Sequence, residues 1–279
     1  MSHRNMEKCL DAGKRAVEAQ LAREGLMASI SFVRTRNRVL YHLNGEPWVT
    51  LILWCNQDTN RSGKCLSVIQ DKADYDNLEV ITVHGENRAL AYNQAAAKAK
   101  GDYLIFMDSD TYIATPGWIR QWLGYCQREK CLSVCGKMTD KRNKLIFAGY
   151  VVGVGAGVEI PQKGLPADSW GYFGIKEMTH NVSAASWAAM MVKKETFLQL
   201  EGFDTSLPAL ADVDWCLRAS KATGAWHTYD PYLKIKTGGK GLWLKYAPSW
   251  DPFLQKWPNL QDPYYNPQWS RQNANYRLK

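Results

Sequence analysis

The stretch LEVITVHGENRALAYNQAAAKAKGDYLIFMDSD, residues 78–110, decides the predicted fold. Its ends, LEVITV (78–83) and YLIFM (103–107), are short and mostly apolar, as is typical of strands covered on both faces. Between them, NRALAYNQAAAKAKG (87–101) is an alanine-rich segment closed by Gly101, which predicts a helix. A strand, a helix and a strand in this order predict a βαβ unit with parallel strands and a right-handed crossover.

A third apolar run precedes this unit. WVTLILWC (48–55) is almost continuously hydrophobic and predicts another strand buried on both faces. Three such strands with an intervening helix favour an α/β fold of the nucleotide-binding type, with a mostly parallel sheet flanked by helices.

The N-terminal segment has a different pattern. Apolar residues at helical spacing predict a helix over 7–26, and SISFV followed by RVLYHL predicts a short hairpin. The turn NGEP (44–47) separates this segment from the first buried strand. We therefore expect a helix and hairpin appendage over 1–46 and one catalytic domain over 47–279, with a C-terminal tail from about 233 to 279.

Composition limits the class of protein. The chain has 279 residues, a formal net charge of +8, twelve tryptophans and seven cysteines. Seven cysteines without regular spacing are poor material for a disulfide framework, and the apolar stretches are too short for a transmembrane segment. The N-terminus lacks the apolar core of a secretory signal. We expect a cytoplasmic protein whose positive charge favours anionic partners, among them nucleotide phosphates, acidic glycans, nucleic acid and lipid headgroups.

Two aspartates follow the strand YLIFM directly. Side chains alternate along a strand, so Asp108 and Asp110 are expected on one side and Ser109 on the other. In open parallel sheets ligands bind at the carboxyl ends of the strands, where this pair lies. Paired carboxylates there indicate a divalent cation shared with a diphosphate. The alternative is a capping role in the turn that ends the strand.

A second acidic cluster lies about a hundred residues later. LEGFDTSLPALADVDWCLRA (200–219) contains Asp204, Asp212 and Asp214, and DVDWCLRA opens an amphipathic helix. Carboxylates in the first turn of a helix are favoured by its dipole, so capping explains them. A carboxylate that faces a cleft can instead act as a general base on a hydroxyl nucleophile.

These blocks carry a resemblance to a known family. Segments 46–58, 65–83, 87–119, 181–204 and 211–219 resemble, in order, the blocks of inverting family 2 glycosyltransferases with the GT-A fold. LIFAGYVVGVGAGVEIPQKGLPADSWGYFG and the late DPYYNPQWS are similar to a bacterial branch that builds O-antigen and related surface polysaccharides, including rhamnosyltransferases. The similarity covers nearly the whole chain.

The resemblance implies an enzyme of the hexosyltransferase class and assigns roles by position. Asp108 and Asp110 match the D-x-D motif that binds Mn²⁺ or Mg²⁺ with the donor diphosphate, and Asp212 matches the base that takes the acceptor proton. The implied reaction is one in-line displacement with inversion. The implied donor-binding residues are His84, Glu86, Asn87, Arg88, Asn93, Asp108, Ser109, Asp110, Lys236 and Lys240, and the implied acceptor or sugar pocket contains Trp187, Asp214 and Trp170.

The chain departs from the family pattern in three places. An aspartate-rich turn is expected after NLEVITV, but only HGE (84–86) is present, which shortens the nucleotide pocket. The turn expected as TGA reads SWA (186–188), so Trp187 either narrows the sugar site or belongs to the core. The histidine expected as a further metal ligand is absent from KTGGKG (236–241), where Lys236 or Lys240 would meet the diphosphate directly. Metal dependence is therefore expected to be weaker.

Three functions remain open from the sequence. The first is glycosyl transfer from a nucleotide-diphosphate sugar to a surface glycan or another hydroxyl acceptor, in the cytoplasm or at the inner membrane face. The second is transfer to nucleic acid, because KTGGKGLWLKYAPSW interleaves lysines with aromatic residues. The third is a degenerate protein that binds a sugar or nucleotide without catalysis. The first two require that Asp212 faces the same cleft as Asp108 and Asp110.

Overall fold

The computed structural model describes residues 3–33, 36–55, 59–240 and 242–279. The helices in these ranges are α1 His3–Arg23, α2 Thr59–Lys72, α3 Arg88–Lys98, α4 Trp118–Cys126, α5 Lys194–Gln199, α6 Ala211–Thr223 and α7 Asp251–Lys256. The strands are β1 Ala28–Val33, β2 Arg36–Tyr41, β3 Val49–Trp54, β4 Leu78–Val83, β5 Tyr103–Asp108, β6 Thr111–Ile113, β7 Cys131–Thr139, β8 Leu145–Phe147, β9 Val151–Val152, β10 Val158–Glu159, β11 His180–Val182, β12 Ala189–Lys193 and β13 Trp226–Thr237. Short 3-10 helices cover Ile175–Glu177 and Pro248–Trp250.

One large sheet organises the domain. Its strand order is β11-β13-β7-β12-β5-β3-β4, with β6 paired to β13 and β8 to β7. Along the main path β3, β4, β5, β7 and β13 run in one direction, while β12 and β11 run in the other. The predicted α/β fold with a mostly parallel sheet is confirmed.

The three predicted strands form one side of this sheet. β3 pairs in parallel with both β4 and β5, and its residues Leu51, Ile52 and Leu53 are fully buried. The crossover helix α3 ends at Lys98, three residues before the predicted end. Gly101 then passes so close to β3 that a Cβ would lie 2.4 Å from the backbone nitrogen of Thr50, which excludes larger residues.

The predicted N-terminal helix and hairpin are also present. β1 and β2 form their own antiparallel sheet, and the hairpin packs on α4. The contact is tight, because a Cβ on Gly124 would lie 2.9 Å from the carbonyl oxygen of Tyr41, whose ring also meets Tyr125 edge to face. The domain boundary at residue 46 stays a prediction. Within the described ranges, none of the helices has the length and hydrophobicity needed to span a bilayer.

Candidate active site

Asp108 ends β5 at the edge where the parallel strands terminate together. Trp54 of β3 is its register partner and also faces Val83, the last residue of β4. The Asp108 carboxylate is fully buried, and its Oδ2 accepts a hydrogen bond from Nη1 of Arg88 at 3.1 Å. Ser109 is buried too, and its backbone N–H donates to the carbonyl of Trp54 at 2.9 Å. The predicted donor-binding serine thus lies inside the turn.

Asp110 follows in the same turn and is 4% exposed. Its Oδ1 accepts from the Thr237 hydroxyl and its Oδ2 from the backbone N–H of Lys240, both at 3.3 Å. Burial, and then the nearby Asp108 carboxylate, raises the pKa of Asp110 above its ordinary value. Gly238 allows this contact, because a Cβ there would lie 2.5 Å from Oδ2 of Asp110.

The donor chemistry of this pair suits a hard divalent cation. Two buried carboxylates repel each other, and the 3.3 Å hydrogen bonds to Asp110 are at the long end of the normal range. Among the described residues no group of three or more His, Cys, Asp or Glu side chains is arranged to hold a metal. Asp108 and Asp110 therefore fit an ion that takes its remaining ligands from phosphate and water, as Mg²⁺ does.

Asp212 lies in the first turn of α6 with its carboxylate fully buried. Its Oδ1 accepts hydrogen bonds from the Val213 N–H at 3.0 Å and the Trp243 indole N–H at 2.8 Å. Its Oδ2 accepts from the Ser186 hydroxyl and the Trp187 N–H, both at 3.2 Å. Burial raises the pKa of Asp212 to about 6, although these donors favour the charged form.

A strained residue starts the helix that carries Asp212. Leu210 precedes α6 with a φ of +61°, in the left-handed region. For a residue with a branched side chain this costs about 1 kcal/mol or more, so the surrounding packing must enforce it. Leu210 and Ala211 are both fully buried, which provides that packing.

Arg88 lies between the two acidic groups. It is the first residue of α3, and its Nη2 donates to the Tyr92 hydroxyl at 2.8 Å. The centre of its guanidinium lies 4.8 Å from the centroid of the Trp187 ring. Burial alone would lower the pKa of Arg88, but Tyr92 and the Asp108 and Asp212 carboxylates hold it above its ordinary value.

One cavity of about 370 Å³ joins these groups, and we call it the central cavity. It is lined by residues 86–89 and 205–208 together with Trp187, Lys240 and Trp243. Each predicted carboxylate lies directly behind this lining. The connecting bonds join Arg88 to Asp108, Lys240 to Asp110, and Trp187 and Trp243 to Asp212. Each of the three aspartates is thus bonded to a residue of the cavity wall, although none of their carboxylates lines the central cavity itself.

The other predicted donor-binding residues divide into two groups. Glu86 and Asn87 line the central cavity, and Asn87 also caps α3 by accepting from the Leu90 N–H at 3.0 Å. Asn93 does not reach the cavity, because its amide is bonded to both the N–H and the carbonyl of Phe203. The prediction that Asn93 binds the donor is therefore corrected to a structural role.

Two further predicted donor-binding residues, His84 and Lys236, lie outside the central cavity. His84 is exposed in the turn after β4. Lys236 lines a second cavity of about 800 Å³ that also touches Asp110, and its Nζ donates to the Asp140 carbonyl at 3.3 Å. Of the two predicted lysines, Lys240 is the one at the central cavity.

Asp214 was expected in the sugar pocket, and the structure corrects this. Its fully buried carboxylate pairs with Nε of Arg218 at 2.8 Å and Nζ of Lys256 at 2.9 Å. It also accepts from the indole N–H of Trp257 at 2.9 Å. Asp214 therefore fastens α7 and the residue after it to α6.

Trp170 was also expected in the acceptor or sugar pocket, and the structure corrects this prediction too. Its ring is half exposed and lies under the guanidinium of Arg36, 4.3 Å from the ring centroid. Arg36 belongs to the N-terminal hairpin and also donates to the Phe173 carbonyl at 3.1 Å. Trp170 thus contacts the hairpin and does not line the central cavity.

Trp187 belongs to the core and also lines the central cavity, while its role in narrowing a sugar site stays a prediction. The side chain is 3% exposed and packs against Phe203 and Trp243, with ring centroids 5.3 and 5.8 Å away. One part of it still lines the central cavity.

Sequence reasoning missed Trp243 and Thr237, whose side chains bond to Asp212 and Asp110. Both lie in the stretch taken as a basic, aromatic surface for nucleic acid. Trp250 of the same stretch is 1% exposed and so cannot serve as a stacking platform. Only a tertiary structure reveals these contacts, because they join segments 30 or more residues apart.

The chain resembles known proteins in sequence. The model of glycosyl transferase family 2 matches residues 34–165, a little under half of the chain. This part of the chain is similar to family 2 glycosyltransferases. The chain is 25% identical to the O-antigen biosynthesis protein RfbC of Myxococcus xanthus, over 94% of this chain and 23% of that protein. It is 22% identical to the uncharacterized protein y4gI of Sinorhizobium fredii (strain NBRC 101917 / NGR234), over 92% of this chain and 33% of that protein. The chain thus spans a third or less of these relatives.

Solved structures support the same fold. GalNAc-T7 with UDP, GalNAc and Mn²⁺ superposes with a TM-score of 0.57 at 11% identity, covering 81% of this chain and 51% of that one. The mannosyltransferase PcManGT of Pyrobaculum calidifontis with GDP-Man and Mn²⁺ gives 0.51 at 13% identity, covering 76% and 69%. The chain therefore has the GT-A fold of these glycosyltransferases.

Proposed function

We propose that the domain transfers a sugar from a nucleotide-diphosphate donor to a hydroxyl acceptor, with inversion at the anomeric carbon. The observation that supports it is the convergence of Asp108, Asp110 and Asp212 behind the lining of the central cavity. A single displacement needs one group that holds the leaving diphosphate and one base for the acceptor. In this proposal the central cavity is the site where both groups act.

Asp108 and Asp110 serve the leaving group in this proposal. They would hold Mn²⁺ or Mg²⁺, and the bound cation would neutralise charge on the departing diphosphate. GalNAc-T7 and PcManGT were both solved with Mn²⁺, which supports the use of a divalent cation. Glu86, Asn87 and Lys240 line the cavity beside the pair and would contact the donor.

Asp212 serves the acceptor. With a pKa of about 6 it is charged at neutral pH and able to accept a proton. The acceptor oxygen forms a bond to the anomeric carbon while the bond to the diphosphate breaks, and the hydroxyl proton passes to Asp212. Both oxygens of Asp212 already accept two hydrogen bonds each, one of them from the Trp243 indole, so the acceptor hydroxyl would displace one of these donors.

The acceptor class follows from similarity. The relative in Myxococcus xanthus is named an O-antigen biosynthesis protein, which supports a glycan of a bacterial surface polysaccharide. A hexose as the transferred sugar, the cytoplasm or inner membrane face as the location, and the 1–46 boundary stay predictions. A nucleic-acid acceptor is less well supported, because Trp250 is buried.

The test is turnover of a panel of UDP-, GDP- and dTDP-sugars by the full chain, with and without Mn²⁺. We expect hydrolysis or transfer with at least one donor, lost in Asp212→Asn. Binding of a donor without turnover in the presence of a range of hydroxyl acceptors would instead support the non-catalytic sugar-binding alternative.

A further inference from the structure

Arg88 is a buried cation for which the proposed mechanism does not yet account. Its side chain is 14% exposed, and its one ion-pair partner among the described residues is Asp108, at 3.1 Å. Burying a charged side chain is costly unless it is paired with an opposite charge or binds a ligand.

The hydrogen bonds of Arg88 leave capacity for another acceptor. A guanidinium has five N–H groups. One bond from Nη1 to Asp108 and one from Nη2 to Tyr92 are present. The Nε–H is buried and donates to no acceptor within the described ranges. A buried donor without a partner is costly, and for a residue that lines a cavity a bound ligand can supply the missing acceptor.

Aromatic rings hold the guanidinium in place. Its centre lies 4.8 Å from the Trp187 ring, 5.1 Å from the Tyr92 ring and 5.3 Å from the Trp54 ring. Such packing fixes the donors before any ligand binds, which reduces the cost of ordering them. Arg88 also lines the central cavity, so a ligand there meets the guanidinium.

The chemistry and the position together indicate a phosphate. The guanidinium fork matches the geometry of phosphate oxygens. Because Arg88 is bonded to Asp108, an anion drawn to a cation at Asp108 and Asp110 lies next to the guanidinium. In the 237–240 turn Asp110 accepts hydrogen bonds from a hydroxyl and a backbone N–H, and the sequence of this turn, TGGK, contains no histidine that could bind a metal.

We propose that Arg88 binds the leaving diphosphate of the donor directly and supplies part of its counter-charge, so that donor binding persists without a divalent cation. The inference rests on the proposed function and adds a second cationic partner for the leaving group. Chelation of the metal should weaken the binding of a nucleoside diphosphate without abolishing it. The binding that remains should depend on Arg88.

The probes are UDP and GDP, titrated calorimetrically into the full chain with Mn²⁺ and again with excess EDTA. In EDTA we expect Arg88→Met to bind the better probe at least about tenfold more weakly than the wild type, the loss typical of a charged hydrogen bond. Arg88→Lys should bind the probe with an affinity between those of the wild type and Arg88→Met. Arg38→Met is the matched control, because Arg38 also has a buried Nε without a partner among the described residues but contacts Gln121 and Tyr232 away from the cavity.

Loss of Arg88 also leaves Asp108 unpaired, so the experiment is repeated in an Asp108→Asn background. If Arg88→Met still weakens binding there, the guanidinium contacts the ligand. If it has no effect there, Arg88 acts only on Asp108 and the inference is wrong. Wild-type binding that disappears entirely in EDTA also overturns the inference but leaves the proposed function standing. Failure to bind either probe with Mn²⁺ would count against the proposed function itself.

Discussion

Asp212 and Asp214 lie two residues apart at the start of α6 and are equally buried, yet their surroundings differ completely. Asp212 lies behind the wall of the central cavity and is bonded to hydroxyl, indole and backbone donors, all of them neutral. Asp214 faces away and is paired with the cations Arg218 and Lys256.

The difference separates a chemical role from a structural one. Neutral donors leave the pKa of Asp212 raised to about 6 by burial, which suits a base that works near neutral pH. Two cations on Asp214 instead form an ion-pair network that joins α6 to α7. Burial alone therefore does not identify the base; what separates the two aspartates is that the direct hydrogen-bond donors of Asp212 are neutral and Asp214 is paired directly with two cations.

The largest expected effect is on catalysis. Asp212→Asn keeps the shape of the side chain but removes the proton acceptor, so transfer should fall by about 10²–10⁴-fold. Nucleoside-diphosphate affinity should change little, and turnover assays with titration calorimetry measure both. Asp214→Asn is the matched control on the same helix. Wild-type turnover in Asp212→Asn would remove the assignment of the base.

The next effect is on stability. Asp214→Asn leaves Arg218 without its carboxylate and Lys256 with Asp204 alone, and unfolding in urea should become easier by about 3 kcal/mol, the lower end for a broken buried ion pair because both cations are partly exposed. Turnover per folded molecule should stay near the wild-type rate. A folded, stable Asp214→Asn protein that has lost transfer would mean that Asp214 belongs to the active site after all.

The pH dependence follows from the raised pKa of Asp212. Only the deprotonated carboxylate accepts a proton, so kcat/KM should rise with pH and reach half its plateau near pH 6, falling about tenfold per unit below that. A profile with its midpoint near pH 4 would indicate a carboxylate that is exposed to water.

A smaller change should sharpen the comparison. Trp243→Phe removes an N–H that stabilises the charged form of Asp212, so the acid limb of the pH profile should move to higher pH. At pH 8, where Asp212 is charged in both proteins, the rates should differ only modestly. An acid limb that does not move would show that the indole bond is absent in the working enzyme.

The local pattern of apolar residues was enough to predict the strands and the helix that position Asp108 and Asp110. β3, β4, β5 and α3 were predicted from apolar runs and an alanine-rich crossover, because strands buried on both faces leave a continuous hydrophobic signal. Asp108 and Asp110 were predicted to lie at the sheet edge by the same reasoning, and they do.

The error on Asp214 had a detectable signal. Residues two apart on a helix do not face the same side, so Asp212 and Asp214 were never both suited to one cavity. Arg218, four residues after Asp214, is the spacing of a helical ion pair. Trp170 and Trp243 gave no such signal, because their partners, Arg36 and Asp212, are distant in the sequence.

The stereochemistry of the product tests the central claim most directly. With the best donor from the panel, ¹H NMR during the first turnovers shows the anomeric configuration of the sugar that is released or transferred. A base at Asp212 opposite a diphosphate at Asp108 and Asp110 predicts a single displacement, and therefore a product of inverted configuration. A product that retains the configuration of the donor would contradict the account.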